Sequence, residues 1–132
     1  SSDLCELLKR LGDRGDECFV ATSKPEVFAK EILARFEMDV FFKDIIGTGV
    51  DDRIKNKSDI INHIIEKFDC DKSATVMVGD RKQDIDGALK AGIKSMGVLY
   101  GFGSVSEIQG SKPDIIANTV NDVILGLYRL FK

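Results

Sequence analysis

Residues 76–92, VMVGDRKQDIDGALKAG, combine a short apolar run, a turn and an amphipathic segment. The apolar run Thr75–Val78 predicts a buried strand, which stops at Gly79. The residues that follow have helical spacing, at Ile85, Ala88 and Leu89. Gly92 is a typical residue to end that helix, because glycine adopts the left-handed C-cap conformation without strain. The stretch therefore predicts a strand–turn–helix unit.

The same alternation of strands and helices continues along the chain. The other predicted strands are Cys18–Ala21, Phe41–Ile46, Ile93–Leu99 and Ile115–Ala117. Apolar stripes with helical spacing begin at Leu4, Phe28, Ile60 and Val120. Strands that alternate with helices favour a parallel sheet with helices on both faces. We therefore predict an α/β fold, a three-layer Rossmann-like parallel sheet, as a single domain over residues 1–132.

The composition fits an ordinary globular domain. The 132 residues are 43% hydrophobic and 31% charged, with a net charge of −3. This balance argues against a nucleic-acid-binding surface, and no apolar run reaches the length needed to span a bilayer. The opening SSDLCELLKR lacks the apolar core of a secretory leader, and the three cysteines form no CxxC pair. We expect a cytoplasmic protein with reduced, mostly buried cysteines and with no nucleic-acid or membrane partner.

The strongest candidate site follows the strand Thr75–Val78. Ligands of open α/β sheets bind beyond the carboxyl ends of the strands, and here that position holds Asp80, Asp84 and Asp86. Asp80 and Asp84 can face one point, where their hard oxygen atoms would bind Mg²⁺. Acidic residues also favour helix N-termini without any metal, but this explains one aspartate better than three. Asp86 is predicted to be solvated.

Two earlier loops carry candidates for phosphate binding. Thr22 and Ser23 lie between a strand and a helix, where hydroxyls and free backbone N–H groups would hold a phosphate. The alternative is that Ser23 only caps the helix. Lys57 precedes the isoleucine-rich helix, and a lysine in a first helical turn opposes the helix dipole unless an anion compensates. The alternatives there are a Lys57 side chain in water, and Lys55 as a weaker candidate.

Other polar residues are predicted to lie outside the site. His63 falls off the isoleucine stripe, so we expect an exposed histidine, and a single histidine needs partners to act in catalysis. Asp51 and Asp52 are most simply part of a solvated loop.

With these loops in order, the chain resembles the haloacid dehalogenase (HAD) superfamily, in particular its phosphoglycolate phosphatase-like branch. The matching segments are FVATSKPE, RIKNKSDII, VMVGDRKQDIDGALKAG and GVLYGFGS. They extend over nearly the whole chain. The resemblance implies a Mg²⁺-dependent phosphate-monoester hydrolase that works through an aspartyl-phosphate on a small phosphorylated substrate.

The resemblance also implies a role for each candidate residue. Thr22, with the amide of Ser23, would bind the transferring phosphoryl group. Lys57 would neutralise the charge of the phosphoryl group and of the nucleophile, so that Thr22 and Lys57 both belong to the catalytic set. Asp80 would bind Mg²⁺ directly, and Asp84 would support the metal site.

The chain departs from this family in one essential motif. Members carry DxDGT at the end of a central strand, with the nucleophile as its first aspartate, whereas the D-x-D strings here are Asp69–Asp71 and Asp84–Asp86, neither after an apolar strand. The helical cap that precedes this region in capped members is also missing. Removing a central strand leaves two rows of unpaired backbone groups, which are costly if buried. We therefore expect the chain to be a fragment, inactive alone, with an N-terminal piece of the same protein as its partner.

Other functions are compatible with the same residues. The chain could be a non-catalytic phosphate-binding α/β module, or belong to a nucleotidase or a sugar-phosphate phosphatase of the same superfamily. A flavodoxin-like or receiver-like domain is a further alternative, but a receiver needs acidic residues on early strands, and this chain has none there.

Overall fold

A computed structural model describes residues 2–99 and 105–131, which form two compact units that divide after Ile64. Every strand ladder in the described residues is parallel. The prediction of an α/β fold with parallel strands is therefore confirmed. The prediction of a single domain over residues 1–132 stays a prediction.

The first unit holds a two-stranded sheet. Its elements are α1 (Ser2–Asp13), β1 (Phe19–Pro25), α2 (Glu26–Arg35), a 3-10 turn (Asp39–Phe41), β2 (Asp44–Thr48) and the start of α3 (Lys57–Phe68). β1 pairs with β2 in register from Phe19 opposite Asp44 to Ala21 opposite Ile46, and the register then shifts before Pro25. The shift falls on Thr22–Lys24 at the irregular end of β1, which we call the Thr22 loop.

The second unit holds a three-stranded sheet. Its elements are the end of α3, a 3-10 turn (Lys72–Ala74), β3 (Val76–Gly79), α4 (Lys82–Ala91), β4 (Lys94–Val98), α5 (Val105–Ser111), β5 (Ile115–Ala117) and α6 (Val120–Leu130). The strand order is β3-β4-β5. Gly92 ends α4 in the left-handed conformation, with φ of 77°, as its position in the sequence predicts.

Two strands have only one neighbour within the described residues. β1 is paired with β2 alone, and β3 is paired with β4 alone. These are the strands that the family resemblance places on either side of the nucleophile strand. The separation into two sheets therefore agrees with the prediction that the central strand is missing from this chain.

The buried residues follow the predicted stripes unevenly. The isoleucine stripe of α3 is buried, at Ile60, Ile61, Ile64 and Ile65. The stripe of α2 is different, since Phe28, Ile32 and Phe36 are exposed by 57%, 43% and 67%. Helical spacing thus predicted both helices, but it predicted the buried face of α3 only.

The second strand differs from its prediction. Phe41–Ile46 was expected, but Phe41 ends a 3-10 turn and the strand runs from Asp44 to Thr48. The turn forms because the amides of Phe41 and Phe42 donate to the carbonyls of Met38 and Asp39 at 3.2 Å. The strand therefore starts three residues later than predicted, and it continues through Gly47 to Thr48.

No helix in residues 2–99 and 105–131 has both the length and the apolar character that crossing a membrane requires.

Gly47 lets β2 approach the Thr22 loop and the start of α2. A Cβ atom at this position would lie 2.6 Å from the Lys24 carbonyl oxygen and 2.7 Å from the Glu26 Cα atom. Both are backbone atoms, which cannot rotate away as the end of a flexible side chain can. The absence of a side chain at Gly47 is therefore a condition for the shape of the loop.

We predict that Gly47→Ala destabilises the protein by about 1–3 kcal/mol, the usual cost of overpacking against atoms that cannot move. Chemical denaturation measures this change. Gly12→Ala is the control, because it lies in α1 with nothing within 4 Å of a built Cβ. We expect that control to be neutral or to gain up to about 1 kcal/mol from helix propensity. Equal effects of the two substitutions would contradict the packing argument.

Candidate active site

The Thr22 loop, the irregular end of β1, is held by hydrogen bonds from its own residues and from β2. The Thr22 hydroxyl oxygen accepts from the Lys24 amide at 3.2 Å, and the Thr48 hydroxyl donates to the Ser23 carbonyl at 3.2 Å. α2 begins after Pro25, and no side chain caps it. The alternative that Ser23 only caps the helix is therefore wrong, and Thr22 and Ser23 lie in an ordered turn at the carboxyl end of β1.

Glu26 also holds this loop, and sequence reasoning missed it. One oxygen of its carboxylate accepts from the Gly47 amide at 3.0 Å, and the other accepts from Lys30 Nζ at 3.2 Å. Glu26 thus links the start of α2 to β2. An acidic residue directly after a proline in a first helical turn was the available signal, but its partner lies 21 residues away.

Lys57 is buried, with 9% of its surface exposed. Its Nζ donates to the Ala21 carbonyl oxygen at 2.7 Å, so the ammonium lies beside the residue that precedes Thr22. The alternative of a Lys57 side chain in water is therefore wrong. Lys55 is exposed, which favours Lys57 of the two lysines. The first unit thus brings Lys57, Thr22 and Ser23 to one strand end.

Asp80 and Asp84 lie at the carboxyl end of β3. Asp80 directly follows the strand and is partly exposed, and Asp84 lies in the first turn of α4 with 6% of its surface exposed. The Asp84 carboxylate accepts from the Arg81 amide at 3.2 Å, as a capping residue does. Asp86 is half exposed and pairs with Lys82 at 3.0 Å, in agreement with its predicted solvated position.

Gly79 brings the backbone of β3 against Asp84. A Cβ atom at Gly79 would lie 2.3 Å from both the Cβ atom and the Oδ2 atom of Asp84. The capping hydrogen bond and this close contact together fix the position of the Asp84 carboxylate.

The donor chemistry of this loop fits Mg²⁺ in part. Carboxylate oxygens are the ligands that Mg²⁺ prefers, and proteins often bind the ion through one or two carboxylates plus water and substrate phosphate. Within the described residues, no group of three or more His, Cys, Asp or Glu side chains could hold a metal ion. Asp80 and Asp84 therefore fit the role of two ligands, and they do not form a complete protein cage.

Glu107, like Glu26, has partners that the sequence pattern does not indicate. The spacing of Ser104 and Glu107 suggests a capping box, but Ser104 lies outside the described residues, as does the rest of the YGFGS segment. Glu107 Oε2 accepts from the Lys82 amide at 2.7 Å and from Arg81 Nε at 3.0 Å. The Glu107 carboxylate raises the pKa of Arg81, and Arg81 in turn lowers the pKa of Glu107.

Neither the cysteines nor the two D-x-D strings match the position of the family's nucleophile, which follows a strand. The cysteines at 5, 18 and 70 are free thiols and are partly buried. Burial, and then the charge of Asp16, raises the pKa of Cys18, which disfavours a reactive thiolate. The Asp69–Asp71 string follows α3, and the Asp84–Asp86 string lies inside α4. Within the described residues, neither D-x-D string follows a strand.

Two smaller predictions, for His63 and for Asp51, differ from the structure. His63 is partly buried rather than exposed, because it lies on α3 beside the buried stripe. Asp51 is not simply solvated, since Arg53 donates to its carboxylate from Nε at 3.1 Å and from an NH₂ group at 2.7 Å. These hydrogen bonds lower the pKa of Asp51 to about 2, with a smaller contribution from the charge of His63.

Comparisons with known proteins agree with the α/β fold. The model of haloacid dehalogenase-like hydrolases matches residues 1–98. The chain therefore belongs to the haloacid dehalogenase-like hydrolase family.

Individual relatives can be compared with the chain directly. The chain is 41% identical over 108 residues to a 5′-nucleotidase of Pseudomonas aeruginosa, which is 82% of this chain and 49% of that protein. It is 32% identical over 119 residues to a phosphoglycolate phosphatase of Vibrio parahaemolyticus, which is 90% of this chain and 52% of that protein. Among solved structures, the chain is 37% identical in sequence to a predicted phosphatase from Clostridium acetobutylicum. The TM-score is 0.88, and the match covers 94% of this chain and 57% of that protein's chain. The chain thus spans about half the length of the curated relatives it matches.

We predict that Gly79→Ala displaces Asp84 and destabilises the protein by about 1–3 kcal/mol, because the new methyl group must push a buried carboxylate out of its capping position. Thermal or chemical denaturation measures the loss. Gly110→Ala is the matched control in the same unit, because it lies in α5 with nothing within 4 Å of a built Cβ. A Gly79→Ala protein as stable as the control would show that the Asp84 carboxylate moves without cost.

We predict a titration midpoint of about 2 for the Asp51 carboxyl group. Because this pKa is depressed, the Asp51–Arg53 interaction stabilises the folded protein above the ordinary aspartate pKa. The stabilisation is lost as the pH falls through the folded value. Carbon-detected NMR of the side-chain carboxyl groups measures the midpoint. Arg53→Ala should return it towards its ordinary value and Lys55→Ala should leave it in place; an ordinary midpoint in the unmodified protein would contradict the prediction.

Proposed function

We propose that this chain supplies the phosphate-binding and metal-binding loops of a Mg²⁺-dependent phosphate-monoester hydrolase that works through an aspartyl-phosphate. The buried Lys57 ammonium, 2.7 Å from the Ala21 carbonyl oxygen, carries the proposal. A buried cation at a strand end, beside Thr22, provides the charge that an entering phosphate needs. Membership of the haloacid dehalogenase-like hydrolase family supports the reaction type.

In the first unit, each residue has a defined task. The Thr22 hydroxyl and the Ser23 amide would donate to the oxygens of the transferring phosphoryl group, and the Lys57 ammonium would neutralise the charge that these oxygens carry. The Thr22 loop is held before any ligand arrives, because the Lys24 amide donates to the Thr22 hydroxyl oxygen and the Thr48 hydroxyl donates to the Ser23 carbonyl oxygen. These donors would therefore need little rearrangement on binding.

In the second unit, Asp80 and Asp84 would hold Mg²⁺ through carboxylate oxygens. When bound, the ion would stabilise negative charge on the phosphoryl oxygens. Asp80, which is partly exposed, would be the direct ligand, and the buried Asp84 would support the site. Two carboxylates are few for Mg²⁺ affinity, which rises with the number and charge of the ligands. The chain alone should therefore bind Mg²⁺ weakly.

The nucleophilic aspartate would come from outside these 132 residues. The family motif DxDGT does not occur in this sequence, and the chain spans about half of its curated relatives. A strand with this motif would also pair with the single-neighbour strands β1 and β3. The partner of this chain would thus be an N-terminal piece of the same protein, and the cytoplasmic location stays a prediction.

The substrate would be a small phosphate monoester. Identity to a 5′-nucleotidase and to phosphoglycolate phosphatases supports a nucleoside monophosphate or phosphoglycolate. Substrate choice in capped members depends on the helical cap, and no cap segment occurs in these 132 residues. The proposal therefore stays at the level of the substrate class.

A second candidate function is a non-catalytic module that binds phosphate. It is favoured by one observation, the absence from the sequence of any DxDGT motif. In this case the Lys57 and Thr22 loop would still bind a phosphate group, but no phosphoryl transfer would follow.

We predict that the 132-residue chain does not hydrolyse a generic aryl phosphate in millimolar Mg²⁺, because it has no nucleophile. We also predict that a longer protein, which includes the upstream coding sequence, hydrolyses it. In that protein, Lys57→Met and Asp80→Asn should each lower kcat/KM by about 10²–10³-fold, the usual loss for one charge-stabilising group. Steady-state kinetics measures both effects.

Matched controls separate these roles from general damage. Lys55→Met removes an exposed lysine two residues from Lys57, and Asp86→Asn removes a half-exposed carboxylate two residues from Asp84. Both should leave kcat/KM nearly unchanged. Hydrolysis by the short chain that Asp80→Asn abolishes would contradict its predicted inactivity. No hydrolysis by the longer protein would favour the binding module.

A further inference from the structure

Arg81 is a cation set between two carboxylates of the proposed metal site. It follows Asp80 directly and precedes Asp84 by three residues. The charges of Asp80 and Asp84 both act on its guanidinium. An arginine on a long flexible side chain in this place can pair with either carboxylate, and such a pair would compete with a bound divalent cation.

The Arg81 side chain is hydrogen-bonded to Glu107. Arg81 Nε donates to Glu107 Oε2 at 3.0 Å, and an Arg81 NH₂ group lies 3.5 Å from Glu107 Oε1. Glu107 is held in turn by the Lys82 amide, which donates to Oε2 at 2.7 Å. Hydrogen bonds between charged groups are among the stronger ones in proteins, so this arrangement is a defined anchor for the guanidinium.

The fold fixes Glu107 in place through its neighbour in the sequence. Ile108 is completely buried, and a Cβ atom at Gly97 would lie 2.4 Å from its Cγ2 atom. The side chain of Ile108 therefore packs directly on the backbone of β4, next to β3. This packing sets α5 beside the start of α4 and brings Glu107 within reach of Arg81 and Lys82.

We propose that Glu107 is a positioning residue that keeps the Arg81 guanidinium away from Asp80 and Asp84, and so leaves their carboxylates available to Mg²⁺. The inference rests on the proposed metal site and adds a residue to it. It explains how an arginine is compatible with a position between two metal ligands.

The test is a Mg²⁺ titration of the full chain, followed by the backbone NMR signals of residues 80–84. Glu107→Ala should weaken Mg²⁺ binding by about two- to fivefold, the range that one partly exposed charge pair accounts for. Arg81→Ala should bind Mg²⁺ at least as tightly as the unmodified chain. The double substitution should return to the affinity of Arg81→Ala, since no guanidinium remains to compete.

The double substitution separates positioning from a merely structural role. If Glu107 only stabilised the fold, removing Arg81 as well would not restore the affinity, because the Lys82 contact would still be lost. Asp86→Ala is the charge control, since it also removes one negative charge from the same region but leaves the Arg81 contact intact. It should keep the affinity of the unmodified chain. Glu107→Gln, which keeps an oxygen for the Lys82 amide, replaces Glu107→Ala if the latter does not fold.

The possible failures are distinguishable. If Mg²⁺ shifts no signals of residues 80–84 in the unmodified chain, the proposed metal site is wrong and the inference falls with it. If the unmodified chain binds Mg²⁺ but Glu107→Ala binds equally well, only the inference is wrong. The same holds if the double substitution stays as weak as Glu107→Ala.

Discussion

The hydrogen-bonding capacity of β1 and β3 constrains the rest of the molecule. Within residues 2–99 and 105–131, β1 pairs with β2 alone and β3 pairs with β4 alone. Unpaired backbone groups are tolerated in contact with water, but they cost free energy when they are buried. In each unit the site strand therefore has a ladder on one side, and the described residues place no partner strand on its other side. β1 ends in the Thr22 loop, and β3 ends directly before Asp80. The strands with a single described neighbour are therefore also the strands that carry the candidate site.

The two site loops depend on a glycine at which a backbone comes close to other atoms. Because Gly47 has no side chain, the Thr22 loop can pack closely on β2. Because Gly79 has none, the Asp84 carboxylate can pack closely on β3. In each case a methyl group would lie less than 3 Å from atoms of the site loop. The positions of Lys57 and Asp84 then follow from hydrogen bonds to nearby backbone, from Nζ to Ala21 and from the Arg81 amide to Asp84. The backbone thus sets where the functional side chains lie.

Local patterns predicted the elements better than the contacts between them. The strand Ile115–Ala117 has its predicted bounds, and Gly92 ends α4 as predicted, because both depend on neighbouring residues. The second strand was misplaced because the 3-10 turn at Asp39–Phe41 uses amides that an apolar pattern assigns to a strand. The exposure of the apolar stripe of α2 could not be predicted either. Residue spacing shows that a helix face is apolar, but it does not show whether another element covers that face.

The site residues divide in the same way. Thr22, Lys57, Asp80 and Asp84 could be selected from the sequence, since each lies in a matching motif near a strand end or a helix start. Glu26 and Glu107 could not, because their partners lie 21 and 25 or 26 residues away, and only the folded chain brings them together. Motif spacing therefore finds the residues that would contact a ligand. It does not find the residues that hold these in position.

Asp84 joins these two kinds of role in one side chain. Its carboxylate caps α4 through the Arg81 amide, and a carboxylate has about four acceptor sites on its two oxygens, so the cap leaves capacity for a metal-site contact. Within the described residues, no buried side-chain nitrogen or oxygen lacks a hydrogen-bond partner. The buried polar atoms of the site are thus satisfied by the protein itself. The position of the Asp84 carboxylate follows from the Arg81 amide and from Gly79. The proposed metal site would therefore be limited by the number of ligands that Asp80 and Asp84 provide.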